Sequence, residues 1–209
     1  MKMKLIILSI AVLSLASCTK SVENVTGNIT TNSIAAKGQS VAATASKQFV
    51  QYMILKGQQY CDKSTYEAVK CDSLSFVVKF DSSAIYQTAN ATNQDDINKL
   101  FGFSDNNAQH QQYSARFGWR WNKNALRLFG YIYNNGVRSS KELGTVDIGT
   151  ENSCSIKVSE NTYIFTLNGQ SQTMQRQSKT VKAEGYKLFP YFGGDEMAPH
   201  AIEIWIKEL

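Results

Sequence analysis

The chain is expected to fold as an all-β protein, an antiparallel sandwich or barrel, and three observations lead there. Leu74, Phe76, Val78 and Phe80 fall on one side of an extended segment while Ser73, Ser75 and Lys79 fall on the other, the period-two pattern of a half-buried strand. Asn168-Gly169 separates the alternating run Tyr163, Phe165, Leu167 from residues 170–174. Asn-Gly in that setting signals a hairpin, because both residues tolerate the positive φ that a two-residue turn demands. Helical character is confined to residues 94–100, so short strands and turns must build nearly everything.

At the N-terminus, Lys2 and Lys4 precede an apolar run from Leu5 to Leu15, the layout of an export signal. Leu15-Ala16-Ser17-Cys18 resembles a bacterial lipoprotein lipobox, with Ser17 where Gly or Ala is commoner. The resemblance implies removal of residues 1–17, fatty acylation (palmitate) of Cys18, and anchoring in the cell envelope, at the outer membrane of a Gram-negative bacterium. An ordinary secretory signal and an uncleaved anchor are the alternatives. Residues 19–47 are rich in Ser, Thr, Asn, Ala and Gly and hold no aromatic residue, so 18–47 is expected to be a flexible tether. As a coil it reaches on the order of 30 Å. Residues 48–209 are then one β-sandwich domain, large enough for a sizeable core.

Charge and cysteine content narrow the partners. The chain holds 22 basic and 17 acidic residues, and loss of the two signal lysines leaves a mature net charge of +3. Without a basic run or cluster, nucleic acid is not an expected partner. No apolar stretch after the signal is long enough to span a bilayer as a helix, so membrane attachment rests on the lipid. With Cys18 assigned to lipid, Cys61, Cys71 and Cys154 remain. In an oxidising compartment one disulfide and one thiol is the simplest count, and Cys61–Cys71 is favoured because the two enclose a short polar loop. Closing that loop would contribute about 2–3 kcal/mol. Cys154 sits within an apparent strand and reads as a small buried hydrophobe. His110 and His200 lie at ligand spacing from neither each other nor a cysteine pair, and no helix follows Gly193-Gly194 to receive a phosphate. No metal or cofactor is expected.

The remaining elements follow in order. Residues 94–100 read as a helix capped by Thr92 or Asn93, with Asp95-Asp96 at its positive end. Residues 114–134 read as a hairpin turning at Lys123-Asn124. If Asn122 pairs with Ala125, one face collects Ala115, Phe117, Trp119 and Trp121 against Ile132, Gly130, Leu128 and Leu126, which is a core face. The other face sets Ser114, Arg116, Gly118 and Arg120 against Tyr133, Tyr131, Phe129 and Arg127. Arg120 lies opposite Arg127, a like-charge pair that is unfavourable unless an acid or an anionic ligand lies between them. Arg116, Arg120 and Arg127 beside Phe129, Tyr131 and Tyr133 would offer planar donors for carboxylate or sulfate and flat surfaces for sugar rings. Alternatively the arginines pair with nearby acids such as Glu203 or Asp147 and the tyrosines only shield strands. Ile202, Ile204 and Ile206 form the last strand.

The strand pair 165–170 turning on Asn168-Gly169, and the segment Tyr186-Lys187-Leu188-Phe189-Pro190-Tyr191-Phe192-Gly193-Gly194 before a last apolar strand, resemble parts of concanavalin-A-like jelly rolls. Residues 101–105 and 114–121 are similar to segments of uncharacterised envelope lipoproteins with that fold. The resemblance spans roughly residues 49–209 and implies a jelly-roll sandwich with one short helix. Such folds host lectins, glycosidases, polysaccharide lyases and adhesion modules, so the resemblance does not choose a function. Their glycosidases carry acids alternating on one strand, and no Glu-x-Asp-x-Glu pattern occurs here. Lyases of the alginate type use a His and a Tyr near an Arg and a Gln. Here His110, Tyr131 and Arg116 would take those parts, although Gln109 and His110 are adjacent rather than separated by one residue. The expected function is non-catalytic binding of a glycan, an anionic polysaccharide above all, or of another surface ligand. The alternatives are a polysaccharide lyase and an adhesion module whose partner is another envelope protein.

Overall fold

The computed structural model describes residues 47–209. The expected signal segment 1–17, Cys18 and the tether up to residue 46 lie outside the described residues. Twelve strands run in chain order: β1 (Val50–Ile54), β2 (Ala68–Cys71), β3 (Ser73–Phe80), β4 (Asn98–Ser104), β5 (Tyr113–Asn122), β6 (Ala125–Asn134), β7 (Val137–Val146), β8 (Glu151–Ser159), β9 (Thr162–Leu167), β10 (Gln170–Gln175), β11 (Ala183–Leu188) and β12 (Ile202–Glu208). They form two six-stranded antiparallel sheets, ordered β1-β12-β3-β8-β9-β10 and β2-β11-β4-β5-β6-β7. This is the all-β antiparallel sandwich that the alternation predicts.

The core lies where the inner faces meet. Phe76, Val78 and Phe80 of β3 are fully buried, as are Phe117 and Trp119 of β5 in the other sheet. Their rings interlock edge to face, Phe76 with Phe117 at 5.4 Å and Phe117 with Phe165 at 5.5 Å. Each such burial contributes about 1.5–3 kcal/mol, and tilted packing adds to it. Hairpins fix the register. Lys123 and Asn124 both have positive φ, as do Asn135-Gly136 and Asn168-Gly169, so three two-residue turns join β5 to β6, β6 to β7 and β9 to β10.

A buried ionic cluster ties the sheets together at one end. Asp105, just past β4, accepts from Arg176 Nε at 2.8 Å and from the Tyr163 hydroxyl of β9 at 2.6 Å. Asn106 N–H and Glu184 N–H also donate to it. Although burial opposes ionisation, these donors hold the Asp105 carboxyl below the ordinary carboxylate range.

Two expectations are corrected. Residues 94–100 are not a helix: a 3₁₀ turn, Ala91–Asp95, is capped by Asn90, and β4 begins at Asn98. Leu100, Phe101 and Phe103 are fully buried, and pairing with β5 overrides the local acidic helix-start signal. Cys61 and Cys71 form no disulfide; both are free, as is Cys154. Tyr60, next to Cys61, bridges Tyr191, whereas Cys71 pairs with Ala183. The two thiols therefore lie near opposite ends of the 183–191 course, on the order of 25 Å apart, far beyond disulfide reach.

Candidate functional site

The β5–β6 register is the one the two-residue turn demands, with Asn122 opposite Ala125 and Arg116 opposite Tyr131. Continued across the sheet, it sets Ser104, Ser114, Tyr133 and Arg138 in one row, and Leu188, Gly102, Arg116, Tyr131 and Ser140 in the next. Opposed residues share a face, so both rows line the side of the sheet turned away from the core. Lys99 is opposite Gly118 and is bridged to Tyr191. The result is a groove of about 550 Å³ lined by Lys99, His110, Arg116, Arg138 and a set of tyrosines, with Asp195 as its single lining carboxylate.

Glycine makes room for the central cation. A Cβ on Gly102 would collide with Arg116 Cβ and the Ala115 carbonyl, so any larger residue would displace Arg116. Arg116 is 8 % exposed, and among the described residues no carboxylate pairs with its guanidinium and no side-chain hydrogen bond is made by it. Burial pulls its pKa down to about 10, partly offset by Tyr131, Tyr133, Tyr186 and Tyr191. Its desolvation is costly, yet none of its nitrogens is sealed from solvent, so its five donors are free for an incoming anion.

Lys99 extends the positive floor. Its ammonium donates to the Gly193 carbonyl at 2.6 Å and lies 5.4 Å from the Tyr131 ring centre and 5.8 Å from that of Tyr191. Burial, then the charge of Arg116, lowers its pKa to about 8. At the far side, the His110 backbone N–H donates to the Tyr186 hydroxyl at 3.1 Å, and His110 Nδ1 is hydrogen-bonded to the same hydroxyl at 2.9 Å. Burial, followed by the charge of Arg116, holds the imidazole below its ordinary value.

The three predicted arginines do not converge. Arg116, Tyr131, Tyr133 and His110 line the groove, but Arg120 and Arg127 do not. Arg120 lies 3.6 Å from the Asp95 carboxylate and stacks 4.9 Å from the Phe129 ring, while Arg127 pairs with Glu142 at 2.7 Å. Their mutual repulsion is thus relieved by acids, although not by Glu203 or Asp147: Glu203 binds Gln51, and the Asp147 carbonyl closes a turn. Phe129 is 5 % exposed beneath Arg120 and offers no open ring. Lys99, Arg138, Tyr60 and Tyr66, which also line the groove, escaped the sequence reading. Arg138 was within reach, because the Asn135-Gly136 turn sets it opposite Tyr133.

No known family model and no curated protein sequence matches the chain. Among solved structures it is similar to an alginate lyase, at 8 % identity and a TM-score of 0.51, over 77 % of this chain and 74 % of that one. It is also similar to the laminarinase catalytic domain of Thermotoga maritima MSB8, at 9 % identity and a TM-score of 0.50, over 77 % of this chain and 75 % of that one. At such identities the likeness is one of fold, and the fold is the concanavalin-A-like jelly roll.

Proposed function

We propose that this protein binds an acidic polysaccharide in the tyrosine-lined groove, as a lipid-anchored protein of the cell envelope. The observation that carries the ligand class is Arg116: buried, central and, among the described residues, without a counter-ion. Lys99 and Arg138 add positive charge on either side, and tyrosine rings supply surfaces for sugar faces. The envelope location rests on the Lys2 to Cys18 segment. The alginate lyase of similar fold supports a uronate polymer as a first ligand to try. Calorimetry with alginate, polygalacturonate, a sulfated glycosaminoglycan and neutral laminarin tests the ligand class. Binding of an acidic polymer, lost in Arg116→Gln and weak for laminarin, is the expected result. Equal binding of laminarin, or none of any polymer, would sink it and leave adhesion to an envelope protein.

A second reading is β-elimination, favoured by the His110–Tyr186 contact. In such a step Arg116 would neutralise a uronate carboxylate and so acidify the C5 proton. The proton passes to the His110–Tyr186 pair, a C4–C5 double bond forms, and the C4–O bond to the leaving chain breaks with protonation of its oxygen. The pair involves Tyr186, not the expected Tyr131. Ultraviolet absorbance of the unsaturated product, present in the wild type and absent in His110→Ala, separates catalysis from binding alone.

A further inference from the structure

Two tyrosines stand outside the central anion site on the loop between β1 and β2. Tyr60 is 69 % exposed and Tyr66 79 % exposed, so neither is held by burial. Both are nevertheless fixed. Tyr60 forms a backbone bridge with Tyr191, and the two rings meet at 4.9 Å, edge to face. The Tyr66 ring lies 5.9 Å from that of Tyr186, tilted by 33°. The loop that carries them is pinned by Gly57 N–H to the Ala198 carbonyl, Phe192 N–H to Gln59 and Lys187 N–H to Glu67, each at 2.8 Å. The rings are thus positioned before any ligand arrives, which lowers the ordering cost of binding.

Tyr186 and Tyr191 are five residues apart on a course that stays in register beside β4 through Pro190. At a strand's rise this is about 16 Å. Leu188 lies between them, level with Arg116 through Gly102. An aromatic pair therefore flanks the buried guanidinium on each side.

We propose that the Tyr60–Tyr191 and Tyr66–Tyr186 pairs are two sugar-stacking platforms, so that the groove grips an internal stretch of an acidic polysaccharide rather than its end. The proposal rests on the acidic-glycan function given above. With a pyranose and its linking oxygen spanning about 5 Å by ordinary bond lengths, about four sugars reach from one platform across Arg116 to the other. A disaccharide reaches the anion site and one platform at most.

Titration calorimetry of the full chain with size-graded alginate and polygalacturonate fragments, from disaccharide to hexasaccharide, tests this. Affinity should rise about tenfold or more from disaccharide to tetrasaccharide and then level off. Tyr60→Ala combined with Tyr66→Ala should remove that rise, and Tyr60→Phe combined with Tyr66→Phe should keep it, because the ring and not the hydroxyl stacks. The exposure of both side chains leaves the fold intact, which an unchanged melting temperature checks. Binding that does not grow with length, or growth that survives the double alanine variant, overturns the platforms while leaving the acidic-glycan function standing. Absence of binding by any fragment overturns both.

Discussion

Arg116, Arg120 and Arg127 occupy equivalent positions on one hairpin face, yet their surroundings give them different roles. Arg127 is 23 % exposed and paired with the more open Glu142 at the sheet surface, so Arg127→Gln should change stability by about 1 kcal/mol or less and leave glycan affinity unchanged. Arg116 carries a desolvation cost and, among the described residues, no ion pair, so Arg116→Met should abolish acidic-glycan binding and raise stability by about 1 kcal/mol, read from a melting curve. A loss of both would show that Arg116 is part of the packing rather than a receptor. Lys99 brings a pH dependence. Its folded pKa is lowered to about 8, so the ammonium is charged below that value and neutral above it. Affinity for an acidic glycan should therefore fall as pH rises from 7 to 9, and Lys99→Arg should flatten the profile. Arg116 and the tyrosines beside it were legible because strand alternation and a two-residue turn determine a face. Lys99 was hidden in a segment whose acids imitate a helix start.

At the level of elements, β4 decides what the groove can hold. Its irregular register between Lys99 and Gly102 lets Leu100 and Phe101 both reach the core while Lys99 stays on the groove side. No local pattern announces a bulge of this kind, since it is stabilised by β5 on one side and by the β11 course on the other. Gly102 is the sensitive point. Gly102→Ala should cost about 1–3 kcal/mol through overpacking against Arg116 and weaken acidic-glycan binding without touching the ligand. Unchanged affinity in calorimetry would remove Gly102 from the site's architecture. The hairpins were easier to read: Asn168-Gly169 needs nothing beyond itself and its flanking strands. The loop 55–67 was not, because its position depends on β11, more than a hundred residues away in sequence.

For the molecule as a whole, the Asp105–Arg176 pair links strands of both sheets and leaves almost no exposed surface. Removing one partner strands the other, so Arg176→Met should destabilise by about 3–5 kcal/mol. The folded pKa of Asp105 is depressed, so its stabilisation is present above the unfolded value of about 3.9 and is lost as pH falls through the folded one. Chemical denaturation from pH 7 down to pH 2 should show this loss in the wild type and a shallower one in Asp105→Asn. The insertion of β12 between β1 and β3 has a temporal consequence. The first strand of the domain has no neighbour in its sheet until the last strand is made. A chain cut before Ile202 should therefore remain uncooperative in melting and open to protease. During synthesis β1 lacks a partner and β3 keeps one open edge until residues 202–209 are made, so this domain depends on being kept from aggregating until β12 arrives.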